Sequence, residues 1–175
     1  MESKKTILAL VIVFIFVLLF GLGYLDKGKD TAEASAFEAG GSHPAQRESS
    51  LTSSETVYDF GTISMKNGDV TKDFTVTNAT DKEVLLKTLV TSCMCTRASI
   101  VRADGTSKGP FGMPGMGRVP PANERIAAGD SRIIRVVYDP NAHGPAGVGQ
   151  IDRFAELEDE NGGKLQLEIK ALVQP

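Results

Sequence analysis

From residue 55 onward, apolar and polar residues alternate along several stretches of the chain. The alternation is clearest in 164–173, where one face carries Leu165, Leu167, Ile169, Ala171 and Val173. Because successive side chains of a strand point to opposite faces of a sheet, a period of two predicts strands with one buried face. The pattern recurs in 70–78 and 132–138, and no long stretch has the period of an amphipathic helix. The chain is therefore predicted to fold as an all-β protein.

Turn residues separate the predicted strands. Asn161-Gly162-Gly163 precedes the last strand, and its glycines suit the positive φ angles of a hairpin. Asn78-Ala79-Thr80 matches a glycosylation sequon, but it lies in a cluster of turn-forming residues and is interpreted as a plain turn. The stretch 84–90 is apolar on both faces, as in a central strand. About six or seven short strands in about 120 residues predict an antiparallel β-sandwich over 55–175.

Two Gly/Pro-rich stretches interrupt the strand pattern. Residues 102–126 combine five glycines with four prolines, and 141–149 form a second such segment. A loop as long as 102–126 inside a compact domain is usually functional or disordered. We therefore predict one long loop at 102–126, which contains Met113 and Met116, and a second loop that contains His143.

The N-terminal part of the chain reads as a membrane anchor. Residues 6–25 carry no charge and, as a helix, would span about 30 Å, the thickness of one hydrocarbon core. Lys4 and Lys5 precede this run, which favours a cytoplasmic N-terminus. We predict a signal anchor in 1–25, a single transmembrane helix that leaves the domain extracytoplasmic, in the periplasm or at the cell surface. The alternative is a signal peptide cleaved at Ala34-Ser35-Ala36, although that site lies far beyond the apolar run.

The stretch between the anchor and the predicted domain is rich in small and polar residues. Residues 26–54 offer little to bury, so they are predicted to form a flexible linker. The formal net charge of −3 argues against a nucleic-acid partner, which calls for a basic patch. The sequence has no phosphate-binding loop, nucleophile elbow or dinucleotide fingerprint, and we predict that the protein is not an enzyme.

Both cysteines of the chain fall in 91–96, as Cys93 and Cys95. In an extended segment their side chains would share one face, with Cα atoms about 6.6 Å apart. That separation is near the upper limit for a disulfide, so a bridge requires the segment to bend. Three interpretations stay open: two small buried side chains, a soft-metal site, or a redox-active dithiol.

The metal interpretation gains from the two loops. Thiolate and thioether sulfurs select Cu(I), so Cys93 and Cys95 with Met113, Met116 or His143 form a chemically sensible copper site. No other cofactor is indicated. The alternative is that both methionines cover the edge of the sandwich and that His143 bonds to the backbone of its own loop.

Several of these motifs together resemble an exported bacterial family, domain of unknown function 1573. The resemblance is carried by Asp59-Phe60-Gly61, by a strand ending in Asn78, by Ser92-Cys93-Met94-Cys95-Thr96 and by Ala128-Gly129-Asp130. The family typically has glycine at the position of Met94, and its connection at 102–126 is shorter. The resemblance implies an immunoglobulin-like β-sandwich outside the cytoplasmic membrane, and it implies no activity.

These observations favour a membrane-tethered module for interaction or envelope structure, with a protein partner in the cell envelope. The alternative is a Cu(I)-binding or copper-handling protein that uses Cys93, Cys95 and the loop Met and His residues. A thiol–disulfide protein is the third hypothesis, and the missing Cys-x-x-Cys pattern counts against it.

Overall fold

The computed structural model describes residues 48–175, which form ten strands and two short 3₁₀ turns, Met65–Asn67 and Gly144–Gly147. The predicted anchor lies outside the described residues, and so does nearly all of the predicted linker. No helix within 48–175 is long and apolar enough to cross a membrane. The strands are β1 (Leu51–Ser53), β2 (Val57–Ser64), β3 (Val70–Asn78), β4 (Val84–Thr91), β5 (Thr96–Val101), β6 (Ser107–Phe111), β7 (Glu124–Ile126), β8 (Ser131–Tyr138), β9 (Gly149–Asp159) and β10 (Lys164–Gln174).

The strands form two five-stranded sheets, in the orders β1-β3-β8-β5-β6 and β2-β10-β9-β4-β7. The prediction of an all-β sandwich is confirmed. The predicted antiparallel arrangement holds for most strand pairs and is wrong for β2, which pairs with β10 in parallel. These two strands are far apart in the sequence, so no short hairpin fixes their relative direction. The Lys164–Glu158 pairing confirms the predicted hairpin between β9 and β10.

The faces predicted from the alternation are the faces that the structure buries. In β10 the side chains of Leu167, Ile169 and Val173 are buried, and Leu165 packs against the core. Phe74 and Val76 of β3 and the alternate residues of β8 point into the same cluster, to which both sheets contribute. The apolar side chains between the sheets supply the main driving force for folding.

Strand β4 departs from a strict period of two. Its register with β9 shifts between Leu86 and Thr88, which is a β-bulge. The bulge changes the phase of the strand, so that Leu86 and Leu89 both point inward although they are three residues apart. This explains why the sequence of β4 looks apolar on both faces.

The predicted loop at 102–126 is wrong in part, because β6 and β7 both lie within it. β6 pairs with β5 and forms the edge of its sheet, a position where Pro110 is tolerated because an edge strand has an unpaired side. β7 pairs with β4 at the edge of the other sheet. Two short edge strands thus bracket the central part of the Gly/Pro-rich stretch.

Ordered structure begins upstream of residue 55, since β1 lies in the range assigned to the linker. The carboxylate of Asp159 accepts hydrogen bonds from the Ser49 hydroxyl at 3.0 Å and the Ser50 N–H at 2.9 Å. The same segment packs closely against position 163. Only glycine fits there, because a Cβ would lie 2.6 Å from the carbonyl oxygen of Glu48. These polar contacts, the pairing of β1 with β3 and the buried side chain of Leu51 hold the segment. Leu51 is its one apolar residue, which is why its composition does not reveal the strand.

Asn78 confirms the interpretation of its sequon as a plain turn. The side chain is fully buried, and its Nδ2 donates to the carbonyl oxygens of Lys82, Ile126 and Ala127. Its Oδ1 accepts from the N–H and hydroxyl of Thr80. A side chain that is this fully bonded holds the β3–β4 turn and offers no free amide for a glycan.

Candidate functional site

The two cysteines lie in the connection between β4 and β5, at one end of the sandwich. The segment bends instead of running extended, and the Thr96 N–H donates to the Cys93 carbonyl oxygen at 3.1 Å. The turn needs no glycine, because Met94 does not adopt a positive φ. The bend brings the two Cα atoms to 5.2 Å, and the sulfurs of Cys93 and Cys95 form a disulfide.

The turn is held by hydrogen bonds that do not depend on the disulfide. The Thr91 hydroxyl lies 3.1 Å from the Cys93 carbonyl oxygen and 3.0 Å from that of Thr96, and both are its acceptors. On one side, the Ser92 N–H donates to the Phe154 carbonyl oxygen and the Ser92 hydroxyl accepts from the Phe154 N–H. The cysteine turn is therefore tied to β9 as well as to its own strands.

His143 approaches the cysteines from the loop between β8 and β9. The N–H of Asp139, at the start of this loop, donates to the Cys95 carbonyl oxygen at 2.8 Å and ties the two segments together. His143 Nε2 lies 3.1 Å from Cys93 Sγ. The two sulfurs and a ring nitrogen of His143 all lie within 4.8 Å of one another.

The two sulfur atoms have different surroundings. Cys93 is 9% exposed and Cys95 only 2%, whereas His143 lies at the surface. Cys93 Sγ also accepts from the Cys95 N–H at 3.2 Å, while Cys95 Sγ has the Thr96 hydroxyl at 3.7 Å. The more exposed of the two cysteines is thus the one whose sulfur contacts both the imidazole and a backbone donor.

Met113 and Met116 lie in the segment that leaves β6. The Gly112 carbonyl oxygen accepts from the Thr91 N–H at 3.1 Å, so this segment starts beside the end of β4. Met113 is half-buried and Met116 is 58% exposed. The structure brings Cys93, Cys95 and His143 together, and a role for the two methionines at the same ion stays a prediction.

The disulfide contributes little to the stability of the domain. It joins residues only two positions apart. A disulfide stabilises a fold by lowering the entropy of the unfolded chain. For so short a ring this effect is about 1.6 kcal/mol, whereas for a 15-residue loop it is about 3 kcal/mol. The domain has a large apolar core of its own, so we expect it to stay folded when the cysteines are reduced.

Arg153 is the residue of this region that the sequence did not point to. It occupies an inward position on β9 between Ile151 and Ala155, and its Nε is buried with no hydrogen-bond partner in the described chain. Burial raises the pKa of Tyr138, and the nearby Arg153 guanidinium partly opposes this rise. A charged residue that follows the alternation of Ile151, Ala155 and Leu157 at the inward positions of β9 was the available signal.

The fold and the site together define a class, an all-β sandwich domain with a Cys-x-Cys turn at one end. Residues 51–108 match the model of the DUF1573 family, which is described as a protein of unknown function. The predicted family resemblance is confirmed for this part of the chain. No curated protein matches the chain in sequence.

Several solved structures align with this chain. A protein of unknown function from Porphyromonas gingivalis W83 aligns with a TM-score of 0.50 and 14% identity, over 75% of this chain and 50% of that one. The chain therefore spans half the length of that protein. The CupB2 chaperone of Pseudomonas aeruginosa aligns with a TM-score of 0.36 and 14% identity, covering 70% and 55% of the two chains. The CooA pilin subunit of enterotoxigenic Escherichia coli gives 0.38 and 13%, covering 71% and 97%. At 14% identity the likeness to the Porphyromonas gingivalis protein concerns the fold alone.

Proposed function

We propose that the protein is a binding module, not an enzyme, and that its reduced cysteines bind Cu(I) together with His143. The observation that carries this proposal is the grouping of two sulfurs and one imidazole nitrogen within 4.8 Å. Two ligands with metal bonds of about 2.0–2.3 Å lie at most about 4.6 Å apart, so small side-chain rotations bring all three to one ion. Reduction must come first, because the metal ligand is the thiolate.

The donor set favours Cu(I) over zinc. Structural zinc sites almost always have four protein ligands, whereas this group offers two sulfurs and one nitrogen. Soft thiolate and thioether ligands select Cu(I). Met113 and Met116 supply thioethers, and the segment that carries them begins beside the end of β4. A neutral thioether would add a soft ligand without adding charge to two thiolates.

We also propose that the domain is tethered to a membrane. The uncharged run at 6–25 and the lysines before it support a single-pass anchor with the sandwich outside the cytoplasm. A module tethered in this way would meet partners in the cell envelope. If the cysteines bind no metal, a role in interaction or envelope structure is the function that is left.

Copper binding has a direct test. We expect the reduced full-length chain, in detergent and without oxygen, to bind one Cu(I) in competition with a colorimetric Cu(I) chelator. Cys93→Ser should lower the affinity at least about 100-fold because it removes a thiolate, and His143→Gln should lower it about 10–100-fold. Met113→Leu with Met116→Leu keeps the apolar bulk and should weaken binding further if a thioether completes the site.

A matched control is Val148→Ala, which changes an exposed apolar residue of the same loop as His143. It should bind Cu(I) like the wild type. Equal copper retention by the wild type and by Cys93→Ser would overturn the metal proposal, and a preference for Zn(II) would overturn the choice of ion.

The membrane topology is tested separately. Protease added to intact spheroplasts should digest the domain and leave a membrane-bound N-terminal fragment, because the anchor keeps only a short segment inside. A soluble mature protein that starts near Phe37 in the external fraction would show instead that the signal is cleaved.

A further inference from the structure

We infer that the free edge of β2 binds an extended segment of a partner protein, in which apolar residues alternate with lysine or arginine. β2 is the outermost strand of its sheet, and within 48–175 no strand pairs with its outer side. An added segment would extend the sheet through backbone hydrogen bonds, which is a common way for proteins to bind extended peptides. The inference uses no residue of the proposed copper site and does not depend on it.

Of the four edge strands in the described part of the chain, β2 is the one best suited to such pairing. β1 and β7 have three residues each, and β6 carries Gly109 and Pro110. Short strands and prolines are features by which proteins protect sheet edges from pairing. β2 has eight residues, with no proline, lysine or arginine among them. Its regular part runs from Val57 to Phe60, because the register with β10 shifts after that point.

The backbone of this regular part offers hydrogen-bonding groups on its outer side. The Glu168 N–H of β10 donates to the Thr56 carbonyl oxygen at 2.7 Å. Successive residues of a strand turn their backbone groups to opposite sides, so the N–H and C=O groups of Val57 and Asp59 point away from β10. These four groups are the ones that an added strand would pair with.

The side chains on the outer face of the sheet favour a basic residue in the partner. Asp59 is exposed there and lines a groove of about 370 Å³ together with Asp152 and Lys170. Lys170 Nζ lies 3.0 Å from the Glu168 carboxylate and 3.9 Å from that of Asp152. One lysine therefore faces three carboxylates, which leaves an excess of negative charge at this edge. Opposite charges on directly facing residues stabilise a strand pair, so a lysine or arginine fits opposite Asp59.

The side chains on the inner face of β2 favour apolar residues at the alternate positions. Tyr58 and Phe60 are half-buried, and their rings pack edge to face with centroids 4.9 Å apart. Lys72 Nζ lies 3.9 Å from the centroid of the Tyr58 ring and pairs with Glu55 at 2.6 Å. An added strand would place apolar side chains beside the two rings, whereas Lys72 would repel a basic residue there. The two faces together select a strand that is apolar on one side and basic on the other.

The test measures binding of a fluorescein-labelled heptapeptide, in which valine alternates with lysine, to the full-length chain in detergent. Fluorescence anisotropy gives the affinity. Val57→Pro removes an N–H from the outer side of β2 and leaves the bonds to β10 in place, so binding should weaken at least about tenfold. Val57→Ala is the matched control, because it keeps that N–H and should bind the peptide like the wild type.

A reversal of charge tests the selectivity. Asp59→Lys should weaken binding of the lysine peptide at least about tenfold, because like charges would then face each other. The same variant should prefer a peptide with glutamate in place of lysine. Glu160→Lys makes the same change of charge in the turn between β9 and β10, away from the β2 edge, and should keep the wild-type preference.

Several results would overturn the inference. These are a wild type that binds neither peptide or both equally, a Val57→Pro variant that binds as tightly as Val57→Ala, and a Glu160→Lys variant that loses as much affinity as Asp59→Lys. A wild type that is dimeric in detergent and becomes monomeric with Val57→Pro would show that a second copy of this chain occupies the edge instead. Copper plays no part in these measurements, so their outcome leaves the copper proposal unaffected.

Discussion

Glu124→Gln is expected to destabilise the fold by about 3–5 kcal/mol, because it removes the charge that two arginines share. The Glu124 side chain is 5% exposed, and it accepts from Arg102 at 2.6 and 2.8 Å and from Arg132 at 3.0 Å. Glu124 belongs to β7 in one sheet and Arg132 to β8 in the other. The group therefore fastens the two sheets together at one side, and urea unfolding of the full-length chain measures the loss.

The effect should depend on pH. Hydrogen bonds from Arg102 hold the pKa of Glu124 below its ordinary value, although burial opposes this, and Arg132 adds to the lowering. A carboxyl whose folded pKa is depressed stabilises the fold fully above the unfolded value of about 4.3, and the contribution is lost as the pH falls through the folded pKa. The difference between the wild type and Glu124→Gln should thus shrink in acid.

Glu83→Gln is the matched control for this prediction. Glu83 pairs with Arg125 at 2.6 Å, but the side chains are 50% and 70% exposed. Exposed ion pairs contribute about 0–1 kcal/mol, so this variant should unfold almost like the wild type. Equal losses for the two variants would mean that Glu124 is not a buried connection between the sheets.

Phe74→Ala is expected to cost about 3–5 kcal/mol, the range for truncating a buried phenylalanine. Phe74 is 1% exposed on β3, and β3 lies between β1 and β8. Alanine there would leave a cavity beside Ile134, the partner of Phe74 on β8, and the paired strands cannot move together to close it. The free energy of unfolding in urea measures the effect.

Leu172→Ala is the control for Phe74. Leu172 is 42% exposed on β10, so its truncation should change stability by less than about 1 kcal/mol. A loss of that small size for Phe74→Ala would show that its ring does not lie in the core.

The sequence was enough to predict the fold class and most of the buried faces. A period of two has a direct physical cause, because alternate side chains of a strand face the core, and Leu167, Ile169 and Val173 are buried accordingly. The hairpin at 159–163 was also readable, because Gly162 adopts the positive φ that its position requires. Such local rules act within a few residues, so they leave a trace in the sequence.

Features that depend on distant segments were not readable. The parallel pairing of β2 with β10 and the pairing of β7 with β4 arise from neighbours far along the chain. β6 pairs with β5 across a short turn, but the Gly/Pro-rich composition of its stretch hides the strand pattern. β1 also depends on distant residues, because it pairs with β3 and the Asp159 carboxylate binds Ser49 and Ser50 just before it. No local pattern records these partners.

The candidate site was likewise predictable only in part from the sequence. The sequence by itself determined which side chains have metal-binding and redox chemistry, since that depends only on residue type: Cys93, Cys95, Met113, Met116 and His143. Only the tertiary structure decided that the cysteine turn closes and that His143, fifty residues away, lies 3.1 Å from Cys93 Sγ. That distance is set by the hydrogen bond from Asp139 to Cys95 and by the pairing of β5 with β8, which bring two separate loops to one end of the sandwich.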